Sequence, residues 1–226
     1  MNDKISLIIA AAGSGSRMKA DKNKILLDLE GKLVLERTLD RFLEINEIVQ
    51  LIVVAKKEDI QEIKNIVDMY SFLDIRVVSG GNTRQESIWC GLNEVIGDSS
   101  YIIVHDAARP FIKEEYIRGA ISMAKRYGAS GVGVRVKDTL KKVDAYDMIL
   151  ETVDRSIIWQ IQTPQIFRLD IIKEAYKYAI ETNYVGTDDC SLVEHLGKKV
   201  AIFEGDYDNI KLTTKEDMEY AKFMLR

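Results

Sequence analysis

Gly13-Ser14-Gly15-Ser16-Arg17, entered through Ala10-Ala11-Ala12, is the stretch of this 226-residue chain best suited to gripping phosphate. Small residues let the main chain approach an anion, and successive N–H groups form a concave donor surface. Arg17 adds a planar cationic fork. The dinucleotide fingerprint needs glycine or alanine where Met18 stands, and the Walker sequence Gly-Lys-Ser/Thr is nowhere in the chain. The loop is therefore of a third kind. A lone Gly-x-Gly is a weak signal, so a strand followed by a plain turn stays open on this stretch alone. Lys24 can swing back to the same phosphates as a point charge, although a lysine taken singly is more often a solvated one. Asp106 ends an apolar run beside Arg109. An acid there suits Mg²⁺, which takes one or two carboxylates plus substrate phosphates. The alternative is a surface pair or an Asx turn. A phosphate nucleophile is already anionic near neutrality (second pKa about 6), so His105 and His195 are read as structural.

These residues need a frame, and the hydrophobic rhythm supplies one. Lys4–Ala11, Ile48–Ala55, Ile75–Ser79 and Tyr101–Val104 read as buried strands. Between them Val34–Ile45, Lys57–Tyr70, Arg84–Val95 and Lys113–Tyr127 carry helical spacing, with Leu35, Leu39, Phe42 and Leu43 on one face of the first. Strands separated by helix-length connections predict an α/β, mostly parallel, doubly wound sheet. Ligands of such sheets lie beyond the carboxyl ends of the strands. Gly13–Arg17, Gly80–Arg84 and His105–Pro110 therefore converge on one edge. Asp170–Ile180, Thr187–Leu196 and Thr214–Leu225 read as further helices, the last capped by Thr214 with Asp217, and Val200–Glu204 as a strand. Residues 137–153 alternate charged and apolar side chains about a turn at Asp144–Asp147, a projecting β-hairpin on a single domain spanning 1–226. Pro110 and Pro164 are read as rigid turns in polar loops, and Met69, Met123, Met218 and Met224 as core.

Composition excludes several classes. A net charge of −4 argues against a nucleic-acid surface, and no run is long enough to span a membrane. Cys90 and Cys190 have no metal-ligand spacing and are too few for a disulfide framework, which points to a reducing cytoplasm.

AAAGSGSRM with Lys24, GGNTRQES, VHDAARPF, TVDR, QTPQIF, TDD and DNIKLT follow one another in order along nearly the whole chain. Together they resemble the 2-C-methyl-D-erythritol 4-phosphate cytidylyltransferase family. The resemblance implies a Rossmann-like nucleotidyltransferase fold, a homodimer formed through the β-arm, Mg²⁺, and transfer from CTP to a sugar-alcohol phosphate. It implies that Ala10, Ala11, Ala12, Gly13, Ser14, Gly15, Ser16, Arg17 and Met18 hold CTP, with Lys24, Gly81, Asn82, Arg84, Ser87, Asp106 and Ala107. Asn82 stands where some relatives carry Asp. Arg17 and Lys24 would stabilise the α-phosphorus, and with Arg155 and Lys211 form the catalytic set. Asp106, Arg109, Thr139, Arg155, Thr163 and Lys211 would meet the sugar-alcohol phosphate, and Asp106 with Asp208 the metal. Arg155, at the base of the arm, would complete the partner subunit's pocket.

Two other readings are weighed against this one. D-ribitol 5-phosphate cytidylyltransferase commonly has Gly-Gly where this chain has Ala11-Ala12, and lacks the run Thr152-Val153-Asp154-Arg155. A catalytically silent nucleotide-binding regulatory module would be expected to have lost Lys24, Asp106 or Arg155, and all three are present.

Overall fold

The computed structural model describes residues 3–13, 23–70, 72 and 74–226. In chain order its strands are β1 (Ile5–Ala10), β2 (Asp28–Leu29), β3 (Lys32–Leu33), β4 (Ile48–Ala55), β5 (Asp74–Ser79) and β6 (Tyr101–Asp106). There follow β7 (Ala129–Arg135), β8 (Lys141–Val143), β9 (Ile149–Thr152), β10 (Trp159–Arg168) and β11 (Ala201–Glu204). The helices are α1 (Val34–Asp40), α2 (Ile60–Val67), α3 (Arg84–Asn93), α4 (Glu114–Tyr127), α5 (Leu169–Glu181), α6 (Asp189–His195) and α7 (Lys215–Met224).

Seven strands make one sheet in the order β11-β7-β10-β6-β1-β4-β5. β6, β1, β4 and β5 run parallel, and β10 enters antiparallel between β6 and β7. Both faces are covered. Leu7, Ile9, Leu51, Val53 and Ile103 point into the core that includes α1, α2 and α4, while Ile8, Ile52, Val54, Ile102 and Val104 meet α3, α5 and α6. Continuous apolar runs are what two-sided burial demands. The mostly parallel, doubly wound architecture is the one the alternation of strands and helices predicts.

The differences have local causes. α1 stops at Asp40, and the chain closes through turns that bury Phe42 and leave Leu43 44 % exposed. Strand β6 runs on through His105 and Asp106 instead of breaking after Val104, because both pair with β1, at Ile9 and Ala10. Pro164 is in β10, not in a polar loop. Neither β7 nor β10 is legible in the sequence. β7 is ASGVGVR, too small and glycine-rich to read as a strand, and β10 carries Gln162, Thr163 and Gln165, all buried. Met218 is buried as expected, but Met69 is 67 % exposed, just past the end of α2. Thr214 does cap α7, with Asp217 closing a capping box. Among the described residues β8 and β9 pair only with one another, as a hairpin whose strand residues are all exposed.

Candidate active site

The four parallel strands deliver their carboxyl ends to one cavity of about 530 Å³. β1 contributes Ala10 and leads to Ala11–Gly13, β4 leads to Lys56, β5 to Gly81–Arg84, and β6 ends on Asp106. Lys24, Ser87 and Lys211 complete the polar wall. The three segments expected to converge therefore do so, as far as they are described. Ser14, Gly15, Ser16, Arg17 and Met18 lie outside the described residues.

Local chemistry fixes each wall. Thr83 caps α3 by accepting from the Glu86 amide at 3.1 Å, and the Glu86 carboxylate accepts from the Asn82 amide at 2.6 Å. Ser87 donates to the Thr83 carbonyl at 2.8 Å. A Cβ on Gly80 would stand 2.6 Å from Ser87 Oγ and 2.8 Å from Ala12 Cβ, so glycine is what lets this turn close against the end of β1. On the other side, Asn23 donates to Asp59 at 2.7 Å, tying the 3-10 turn that carries Lys24 to the turn that follows Lys56.

Asp106 is the electrostatic focus. Its carboxylate lies 2.9 Å from Lys211, 3.4 Å from Arg109 and 3.6 Å from Arg84. Burial alone would raise its pKa, and the three cations overcome this and hold it well below the usual carboxylate range. Arg84 is itself shared. Its Nη2 donates to Asp189 at 2.7 Å, and Asp189, wholly buried, also receives the Tyr176 hydroxyl at 2.5 Å. Burial would lower the Arg84 guanidinium, and Asp189 with Asp106 more than offsets it. Gln165 locks the start of α6 by accepting from the amides of Asp189 and Cys190, both at 3.1 Å. Burial pushes the His105 imidazole down to about 4, which keeps it neutral near pH 7. Its Nε2 faces the Arg109 carbonyl at 3.1 Å, an oxygen that can only accept, so Nε2 carries the ring proton and Nδ1 is free to accept.

Several expected residues stand elsewhere. Arg109 is mostly covered, donating to the Asn209 carbonyl at 2.7 Å as well as to Asp106. Ala107 is buried, its amide on the Ala10 carbonyl at 3.2 Å. Thr163 is buried beneath the cavity rather than lining it. Thr139, Arg155 and Asp208 are exposed and line no part of it, and Arg155 donates to the Lys137 carbonyl at the root of the arm. Lys56, Asp189 and Gln165 escaped the sequence reading. Lys56 carried a usable signal, since it follows a buried strand at its carboxyl end. Asp189 and Gln165 carried none beyond their place in TDD and QTPQIF.

Among the described residues no cluster of three or more His, Cys, Asp and Glu groups is arranged to hold a metal ion. A single carboxylate at a phosphate site still suits Mg²⁺, which completes its shell with substrate phosphates and water. Asp106 fits that donor set.

Comparisons with known proteins place the chain in a family. Residues 5–226 match the family model described as 2-C-methyl-D-erythritol 4-phosphate cytidylyltransferase. The chain is similar to the protein of that name from Caldanaerobacter subterraneus subsp. tengcongensis, 42% identical over 98% of this chain and 99% of the relative. It is 41% identical to the one from Clostridioides difficile, over 97% and 93% of the two chains. Among solved structures, 4-diphosphocytidyl-2C-methyl-D-erythritol synthase from Anaerococcus prevotii superposes with a TM-score of 0.89 at 35% identity, covering 100% of this chain and 99% of that one.

Proposed function

The chain belongs to the 2-C-methyl-D-erythritol 4-phosphate cytidylyltransferase family, and from that premise we propose how its residues divide the work. It joins CTP to 2-C-methyl-D-erythritol 4-phosphate, giving 4-diphosphocytidyl-2-C-methyl-D-erythritol and pyrophosphate. An anionic phosphate oxygen of the sugar alcohol forms the new bond to the α-phosphorus of CTP. The bond from that phosphorus to the bridging oxygen breaks, and its electron pair leaves with pyrophosphate. The nucleophile arrives ionised, so no base is needed.

The observation that carries this reading is the cavity itself, where a close-packed turn at Gly80–Ser87 faces Lys24, Lys211 and the cation-ringed Asp106. The base of CTP lies against Gly81, Asn82 and Ser87, and its phosphates run past Gly13 toward Lys24. Charge that builds on the non-bridging oxygens meets cations already in place, which lowers the barrier without solvent reorganisation. Lys211 stands between Asp106 and the acceptor's phosphate. A Mg²⁺ held by Asp106 and the substrate phosphates would, when bound, neutralise charge on the α-phosphate.

We assign Arg155 and Thr139 to the pocket of a second subunit. Both are exposed on or beside the arm, away from their own chain's cavity, and the arm bares Val143, Ile149 and Leu150. A two-fold mate would cover that apolar edge. We place the enzyme in the cytoplasm, in keeping with two free cysteines and a nucleotide substrate. No helix among the described residues is long and apolar enough to cross a membrane.

Pyrophosphate release with CTP and Mg²⁺ tests the reading. Methylerythritol phosphate should be turned over and ribitol 5-phosphate should not. Equal turnover of both, or of neither, would sink it.

A further inference from the structure

The ladder between β6 and β10 stops two pairs short of the site. It runs antiparallel from Arg168 opposite Tyr101 to Gln165 opposite Val104. The same register, carried two residues further on each strand, sets Thr163 opposite Asp106. The main chain of β10 leaves the ladder there. Pro164 has no N–H to give, and the pairing of β10 with β7 shifts between Ile161 and Gln165. A buried amide must still find a partner. The Asp106 N–H finds the side chain of Thr163, donating to Oγ1 at 3.0 Å.

That hydroxyl has one proton and two lone pairs. One lone pair serves Asp106. With Nε2 of His105 committed as donor to the Arg109 carbonyl, Nδ1 is an acceptor, and it lies 3.1 Å from Thr163 Oγ1. The Thr163 proton is thus given to His105. Its carbonyl is taken as well, by Asn209 Nδ2 at 2.9 Å, and the residue is 4 % exposed. No side-chain donor of Thr163 remains to offer a substrate.

We propose that Thr163 is a positioning residue: its hydroxyl, oriented by His105, completes the sheet at Asp106 and fixes the carboxylate on which Lys211, Arg109 and Arg84 converge, instead of binding the acceptor's phosphate. The kinetic arm of the test rests on the function proposed above, and the spectroscopic arms do not.

Thr163→Val keeps the shape and removes the hydroxyl, and Thr163→Ser keeps the hydroxyl. The valine variant should lose roughly 10- to 100-fold in kcat, the scale of a lost outer-shell partner, while KM for methylerythritol phosphate stays within about twofold. Serine should restore most of the rate. Amide exchange at Asp106 should quicken by about tenfold or more in the valine variant, since its acceptor is gone. In the wild-type protein the ¹⁵N signals of His105 should show the proton on Nε2. A valine variant with unchanged kcat and a KM for the sugar-alcohol phosphate raised more than about tenfold would show direct contact and overturn the proposal. Unchanged exchange at Asp106 would do the same. So would a His105 protonated on Nδ1, a result that needs no variant to fold. Wild-type protein inactive with CTP and either acceptor would count against the assigned function and leave these last two measurements standing.

Discussion

Asp189→Asn removes one charge from behind the cavity wall and leaves the side chain's shape intact. The wild-type carboxylate is completely buried and accepts from Arg84 Nη2 at 2.7 Å and from the Tyr176 hydroxyl at 2.5 Å. Asparagine can keep its oxygen toward Arg84 and turn its amide toward the tyrosine oxygen, so both contacts survive without the carboxylate's charge. A hydrogen bond to a charged group contributes about 1.5–3 kcal/mol against about 0.5–1.5 for a neutral one. Arg84 is 32 % exposed, and solvent screening moves the difference to the lower part of its range. The expected loss is about 1–1.5 kcal/mol, or a Tm lower by roughly 2–6 °C for a chain of this length. Function should suffer more visibly. With the Asp189 charge gone, the pull of Asp106, at 3.6 Å, is no longer balanced from behind, and the guanidinium should swing inward across the cavity wall. KM for CTP should rise by about five- to tenfold with kcat within about threefold of wild type, read from initial rates at saturating acceptor. Tyr176→Phe should move both quantities the same way by less. A variant that melts lower but binds CTP normally would refute the idea that Asp189 aims Arg84, and leave it a prop of α6 alone.

Lys56→Gln should weaken CTP and pyrophosphate binding by about three- to tenfold, the worth of one ammonium near a polyphosphate, and leave CMP binding unchanged. Equal weakening of CMP and CTP in calorimetry would remove Lys56 from the β- and γ-phosphates. For His105 the sign of the pH effect follows from its lowered pKa. The unfolded chain titrates near 6.5 and the folded one near 4, so between these values the unfolded state binds the extra proton and stability falls as pH is lowered, by up to about 1.4 kcal/mol per unit. His105→Asn should flatten the melting-temperature profile across that window, and an unaltered slope would contradict the burial argument. Mixing Arg155→Ala and Lys24→Ala subunits should restore about a quarter of all sites if each pocket takes Arg155 from its mate. No regain, with exchange confirmed by mass, would return Arg155 to its own subunit.

The parallel half of the sheet was legible because burial on both faces writes itself as unbroken apolar runs, as in IVQLIVVA. The meeting of strand ends at one cavity was legible too, since Asp106 and the glycine turns break those runs abruptly. What stayed hidden was polar and interior. Gln165 and Thr163 lie on a central strand, where ladders and helix amides satisfy them, and such residues read as loop until the neighbours are known. Asp189 falls inside the stretch read as a helix from Thr187, and the helix proper starts on it, with Asp188 as the N-cap. Its partner Arg84 is 105 residues away, a contact no local pattern announces. Helix ends were overrun at α1 because Phe42 continues the spacing after the helix itself has ended.

β10 runs as one strand from the root of the arm to the flank of the cavity. Trp159, Gln160 and Ile161 pair with β7 at the arm's root, and Gln165, Ile166 and Phe167 pair with both neighbours beside the site. Side chains on a strand alternate, so one residue gained or lost in between would turn Gln165 to the opposite side of the sheet and release the start of α6. The tip of the hairpin is under no such rule. Asp144 holds it by accepting from the amides of Tyr146 and Met148 at 2.9 and 3.0 Å, both within an exposed turn. Insertions and deletions among natural relatives should therefore gather at the tip and avoid residues 159–165. The same asymmetry marks the tip as the place to graft a tag or a label. Length is free to drift there, and at the root it is counted residue by residue.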